Sequence, residues 1–258
     1  MNGLKGFVMT VSTLKCAWEV NPYIKNLDET ILTPNFHLFF MEFMQCKAYT
    51  TKTTHPVFTR FIDTPPPLPN LNISSLHDVR ITPRPWKDPK HSFEYSYANK
   101  VWPVLLVTTH EFRTYDYWLR MDLDIHICKP LDILKHIDPS VNLYHTRQIR
   151  DSKFQIETGI VEFFRNTGCN IHGTDILQTY YGNFLVGSVR YFTDFRVVNI
   201  VLAWFHHLPG WKVRWTDQQI WPVARCFSNK SVVNWTKYRD HVFVHKNNFR
   251  TKDCHSDL

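Results

Sequence analysis

Residues 115 to 132 read Tyr-Asp-Tyr-Trp-Leu-Arg-Met-Asp-Leu-Asp-Ile-His-Ile-Cys-Lys-Pro-Leu-Asp, and this one stretch decides the fold. Trp118, Leu119 and Met121 are apolar ahead of the acids, Ile125 and Ile127 alternate behind them, and Pro130 closes the run. The pattern predicts a buried strand that breaks at Asp122 and Asp124. If the backbone stays extended there, residues two apart point the same way and the two carboxylates share one face. Convergent carboxylates call for a cation. A divalent ion held by hard oxygen ligands and completed by a diphosphate meets that need, and Mg²⁺ or Mn²⁺ takes such ligands. An isolated Asp-x-Asp more often caps a turn or faces solvent, so its surroundings must carry the reading.

Working outward, 258 residues suffice for one sizeable α/β core. A hydrophobic fraction of 43% with 15% aromatics excludes a disordered chain. The formal charge of +7 favours an anionic partner, but Lys and Arg are scattered without a basic run, which argues against a nucleic-acid module and suits a nucleotide-diphosphate ligand. Six cysteines form no Cys-x-x-Cys pair, against a zinc ribbon or thioredoxin-like site, and they read equally well as buried thiols. Sequons at Asn72, Asn229 and Asn234 would be glycosylated in a secretory compartment. The early apolar stretch Phe36 to Met44 is interrupted by His37 and Glu42 and falls short of the ~20 apolar residues of a membrane span.

Along the chain, residues 1–60 hold short apolar runs, Gly6 to Val11 and Leu38 to Phe43, with no visible chemistry. Thr64 to Pro69, with Pro83, Pro85 and Pro89, must be extended and reads as a connector. From Ser92 the spacing of Tyr95, Tyr97, Val101, Trp102, Leu105 and Leu106 predicts a helix, interrupted at Pro103. A helical turn is expected over 133–138, a strand over Val141 to Thr146 and a helix over 157–166. In Tyr180 to Ser188, two glycines around Asn183 let backbone approach a ligand, or mark a turn at a strand end. Tyr191 to Leu208 has helical spacing and stops at Pro209-Gly210, with His206 and His207 expected exposed. Asp217 suits a helix N-cap or a functional acid, and Asp240 to Phe249 holds a short strand ending at His245. The chain thus divides into an N-terminal part with its connector (1–91), a core (92–250) and a tail (251–258).

The phrase Tyr115-Asp-Tyr-Trp-Leu-Arg-Met-Asp-Leu-Asp124 resembles Tyr-Asp-Tyr-Tyr-Trp-Arg-Val-Glu-Pro-Asp of the fungal Golgi α-1,2-mannosyltransferases, glycosyltransferase family 15. Trp215-Thr-Asp-Gln resembles that family's Trp-Gly-Asp-Ala-Pro. Gly182-Asn-Phe-Leu-Val186 stands where the family has Ser-Asn-Phe-Glu-Ile, so Leu185 replaces a Glu viewed as candidate nucleophile or ion-pair stabiliser. The resemblance covers roughly residues 92–250 and marks a divergent relative.

It implies an α/β fold of the GT-A type, with a mixed, mostly parallel sheet flanked by helices. It implies metal-dependent transfer of a hexose, mannose from GDP-mannose, to a glycan or glycoprotein acceptor. Asp122, Asp124 and His245 would hold Mn²⁺ or Mg²⁺. Asp122, Arg120, Asn183 and Tyr115 would meet the donor, with Arg120 on the opposite strand face from the acids as a structural ion pair or reaching the donor. Asp217 and Asp122 would be catalytic, Asp217 by accepting a hydrogen bond from an acceptor hydroxyl. The family works in the Golgi lumen behind an N-terminal anchor helix, so this chain is either a piece without its anchor or made soluble. Two rivals stay open: an inactive nucleotide- or glycan-binding relative, favoured by Leu185 and by Asp-Leu-Asp in place of Glu-Pro-Asp, and a metal-dependent phosphohydrolase.

Overall fold

The computed structural model describes residues 3–12, 17–42, 57–61, 93–123, 125–146, 148–150, 159–169, 171, 178–180, 182–207, 215–227, 232–235 and 243–245. The apolar runs near the N terminus become strands: β1 is Gly6–Ser12 and β2 is Phe36–Glu42, with helix α1, Ala17–Thr30, between them and β3, Val57–Phe61, after. Helix α2 (Phe93–Thr108) leads into β4 (Tyr117–Met121), then β5 (Ile125–Ile127), β6 (Leu143–His145) and β7 (Gln148–Arg150). Helix α3 (Ile160–Asn166), β8 (Gln178–Tyr180), β9 (Phe184–Ser188), α4 (Val189–Phe192) and α5 (Phe195–His206) follow, with β10 (Val232–Asn234) and β11 (Phe243–His245) last.

Seven strands form one sheet in the order β10-β6-β9-β4-β1-β2-β3. β1 runs parallel to β2 and β4, β2 to β3, and β6 to β10, while β9 runs antiparallel to both its neighbours. This is the mixed, mostly parallel sheet the sequence predicts. Residues of the N-terminal part therefore share one sheet with the strands of the 92–250 core. Strand alternation feeds two cores. Phe7, Trp118, Leu143 and Leu185 pack on one face with Trp102 of α2 and Trp204 of α5. Val8, Leu38, Leu119 and Val186 pack on the other with Tyr23 and Leu27 of α1. Helices thus cover both faces, the layering a parallel sheet requires.

Local expectations are refined where burial outweighs propensity. Pro103 does not interrupt α2, which runs on to Thr108. A proline inside a helix costs ~3 kcal/mol. Burying each of Val101, Trp102, Val104 and Leu106 contributes roughly 1.5–3 kcal/mol and outweighs it. The run from Tyr191 breaks into two helices, because the Asp194 side chain accepts from Arg196 N at 2.9 Å and opens α5 afresh. His207, expected exposed, is half-buried and stacks on Trp215 with ring centroids 4.8 Å apart. Burial, and then the nearby Lys100, lower its pKa.

The three described cysteines, left open as thiols by the sequence, are bridged. Cys169, just past α3, is disulfide-bonded to Cys226, Cys128 is also in a disulfide, and no free cysteine occurs among the described residues. The proline-rich connector, Asn72 and Asn229 lie outside the described residues, while Asn234 is exposed at the end of β10. No described helix is long and apolar enough to cross a membrane.

Candidate active site

Parallel strands bring their carboxyl ends to one edge. The chain leaves β1 for β2 on one side, yet β4 inserts on the other, so strand order reverses between β1 and β4. Open sheets leave their ligand crevice at such a switch point, outside the carboxyl ends. Asp122 stands there, directly after β4. Its N–H donates to Asn183 O at 3.0 Å, and Ile125 N–H donates to Asp122 O at 3.1 Å. That second bond marks a turn where β4 ends. The expectation that Asp122 and Asp124 share one face falls on Asp124, which lies outside the described residues.

Arg120 is the hub of the site. Its Nη1 lies 2.8 Å from Asp122 Oδ1 and its Nε 3.3 Å from Asp217 Oδ2, while its guanidinium sits 5.1 Å over the Trp102 ring. It is not on the opposite face from Asp122, because residues two apart project to the same side as the strand ends. A planar cation with a fork of donors matches this arrangement of two carboxylates and an aromatic face.

Asp217 opens a short 3₁₀ turn, Asp217–Gln219, but the cap is Thr216. Thr216 N and Oγ1 donate to Gln219 Oε1 at 2.6 and 2.8 Å, which leaves the Asp217 carboxylate free of capping duty. It turns inward and is only 3% exposed. Burial raises its pKa, Asp122 pushes the same way, and Arg120 opposes both. The indoles of Trp102 and Trp221 favour its charge, yet neither N–H reaches hydrogen-bond geometry and Oδ2 has no full hydrogen bond. Asn183 Oδ1 is a second buried acceptor without a partner among the described residues. Unsatisfied buried acceptors in a cleft are places where a ligand's hydroxyl or amine completes the structure. Gly182 makes the packing possible: a Cβ there would lie 2.5 Å from Asp217 Oδ2 and 3.1 Å from Arg120 Nη1.

Of the residues singled out in the sequence, Arg120, Asp122, Asn183 and Asp217 come together. Tyr115 does not. It precedes β4 at the amino end of the strand, ~20 Å of chain from Asp122 at 3.3 Å per residue, and its hydroxyl bonds His37 Nδ1 at 2.8 Å. Leu185, opposite Arg120 on β9, is fully buried among apolar side chains. The sequence reading missed Trp102 and Trp221 as site walls, because a buried tryptophan reads as core wherever it sits. For a metal, Asp122 offers a hard oxygen on a half-exposed side chain, and β11 pairs with β5 so that the backbone of His245 lies opposite Ile125. That donor set suits Mn²⁺ or Mg²⁺. Among the described residues no three His, Cys, Asp or Glu side chains gather as a cage.

This sheet, with its one antiparallel strand and an acid at the β4 end, is the GT-A fold of glycosyltransferases. Within that class the chain resembles the core-mannan synthase A (CmsA/Ktr4) of Aspergillus fumigatus in its Mn/GDP form, with a TM-score of 0.66 and 10% identity over 98% of this chain and 77% of that one. It also resembles the mannosyltransferase Ktr4p of S. cerevisiae, with a TM-score of 0.65 and 14% identity over 94% of this chain and 70% of that one. The GDP complex of Ktr4p matches with a TM-score of 0.64 and 12% identity, over 88% and 68%. No family model and no curated protein matches the sequence.

Proposed function

We propose that the chain is a metal-dependent glycosyltransferase that moves a hexose, mannose on present grounds, from a nucleoside-diphosphate sugar to a glycan acceptor. The observation that carries this is the Arg120–Asp122–Asp217 cluster at the switch point of a GT-A sheet. The similarity to a core-mannan synthase crystallised with Mn and GDP supports the choice of donor and ion. Asp122, Asp124 and His245 would hold the ion, which as a Lewis acid neutralises charge on the leaving diphosphate. Asp122 serves the donor side, and Asn183 Oδ1 is an acceptor available to a donor hydroxyl. Asp217, whose pKa burial raises and the adjacent Arg120 holds back, takes the hydrogen bond of the attacking acceptor hydroxyl. Trp102 and Trp221 exclude water behind it. The Cys169–Cys226 bridge fits the oxidising lumen of the secretory pathway, where a Golgi enzyme works.

A second reading has its own observation. Leu185 places an apolar side chain opposite Arg120, which favours a relative that binds nucleotide without turnover. Calorimetric titration of GDP and UDP with and without Mn²⁺, on wild type and Asp124→Ala, separates the cases when paired with a transfer assay using the matching sugar. Metal-dependent binding lost in Asp124→Ala, with transfer, supports the enzyme. Binding without transfer supports the inactive relative. Absence of binding by folded wild type removes both.

A further inference from the structure

Arg120 is usually the sort of residue assigned to a donor phosphate, and its surroundings argue otherwise. Its side chain is 12% exposed, against 38% for Asp122. One flat face of the guanidinium lies against Trp102, and Gly182 comes close enough that a single Cβ would meet Nη1 at 3.1 Å. Its donors are turned to two carboxylates that arrive on separate segments, Asp122 after β4 and Asp217 on the 3₁₀ turn. Across the ladder stands Leu185, so no carboxylate comes from β9 at that register. The acid that reaches the crevice is Asp122, while the arginine stays behind it. A planar fork fixes the angle as well as the separation of what it binds, which a point charge does not.

We propose that Arg120 is a positioning residue whose guanidinium sets the carboxylates of Asp122 and Asp217 relative to each other, and that it does not itself grip the donor. This rests on the donor-site reading above. It makes Arg120 a fixed internal counter-ion, held by Trp102, through which the donor-side acid and the acceptor-side acid keep one geometry. Its removal therefore acts only as far as those acids act.

The test is a double-mutant cycle read in nucleotide affinity. Wild type, Arg120→Gln, Asp122→Asn and the double variant are titrated by calorimetry with GDP or UDP, whichever wild type binds, in Mn²⁺ and up to millimolar nucleotide. Each is first shown to be folded by urea unfolding followed through tryptophan fluorescence. Arg120→Gln is expected to weaken binding about tenfold, and the double variant to bind within about twofold of Asp122→Asn. Losses that multiply in the double variant, or an Arg120→Gln protein that binds as wild type does, overturn the proposal. Arg120→Lys serves if the glutamine variant does not fold; it is expected to bind as weakly as a variant without the cation, and full rescue by lysine overturns the fork argument.

If wild type binds neither nucleotide, the donor-site reading falls, and the cycle is then read in unfolding with Arg120→Gln and Asp217→Asn. A coupling of about tenfold in the folding equilibrium, about 1.4 kcal/mol, sustains Arg120 as the group that places the acids. Additivity overturns it.

Discussion

Gly182→Ala concentrates the whole site into one methyl group. The added Cβ would stand 2.5 Å from Asp217 Oδ2, and ordinary contact begins at 3.4 Å, so the oxygen must retreat by about 0.9 Å or the β8–β9 connection must shift by as much. Asp217 has little freedom to give: it is buried and held by Arg120 at 3.3 Å. Arg120 Nη1, 3.1 Å from the same Cβ, is pressed at the same time. Overpacking of this kind costs ~1–3 kcal/mol, a fall in Tm of roughly 2–12 °C at about 2–4 °C per kcal/mol for a chain of this length. Misplacing a catalytic group by about 1 Å costs on the order of 10²-fold in rate.

Thermal unfolding and sugar transfer are therefore both expected to suffer. Gly159→Ala is the control. Gly159 has φ 72° with nothing within 4 Å of the added Cβ, so alanine there is strained by backbone alone and should cost ~1 kcal/mol of stability with transfer unchanged. If Gly182→Ala keeps wild-type Tm and rate, the close approach of Gly182 to Asp217 is not what builds the site. If Gly159→Ala loses as much activity as Gly182→Ala, the effect is general destabilisation.

Three other outcomes are expected of the buried charges and the disulfide. Asp217→Asn should lower transfer by at least about 10²-fold while leaving the fold as stable as wild type or more so at pH 7. The folded pKa is raised by burial, so the carboxyl's favourable contribution is present below its unfolded value of 3.8 and is lost as pH climbs through the folded one; urea midpoints of the two proteins should converge near pH 3. Lys100, buried over the Trp204 ring at 4.6 Å, has its pKa held well below 10.5 by desolvation, so the unfolded chain binds that proton more tightly and stability rises as pH approaches 10.5. Lys100→Met should remove that rise and be the more stable protein at pH 7 by urea unfolding. Cys169→Ala with Cys226→Ala opens a bridge spanning 57 residues, which loop-closure entropy values at about 4 kcal/mol; a loss under 1 kcal/mol in denaturant unfolding would show that the bridge closes an already ordered loop.

The sequence shows the strand at 117–121 and its acid because alternation of apolar residues and a terminal proline are local signals. It shows β11 ending at His245 because the apolar run Val242 to Val244 stops there at polar residues. The turn after Asp122 is closed by Ile125 N–H on Asp122 O, and Asp-Leu-Asp carries no glycine, proline or asparagine to announce it, so an extended backbone was the natural expectation. Tyr115 misleads because nearness in sequence to Asp122 is distance in space along a strand. Asp217 looks like an N-cap from its composition, and only the Thr216–Gln219 side-chain contact shows that the cap belongs to its neighbour. Pro103 misleads in the other direction, since local propensity cannot register how much of α2 is buried. The Cys169–Cys226 pairing joins segments far apart in the chain and has no spacing signature at all.

Gly182 and Leu185, two of the three departures from the mannosyltransferase pattern in the β8–β9 segment beside Val186, bear on one group, Arg120. Leu185 faces Arg120 across the β4–β9 ladder, so that register supplies no carboxylate to the guanidinium. The charge of Arg120 is matched instead by Asp122 at 2.8 Å and Asp217 at 3.3 Å, as a cation taken out of water requires. Asp217 comes that close because Gly182 has no side chain: a Cβ there would lie 2.5 Å from Asp217 Oδ2. Arg120 therefore keeps carboxylate partners without an acid on β9, one of them admitted by the missing side chain at residue 182. Read separately, Leu185 argues for a dead site. Read with Gly182, it leaves a site in which Arg120 still has two carboxylate partners, both from segments other than β9.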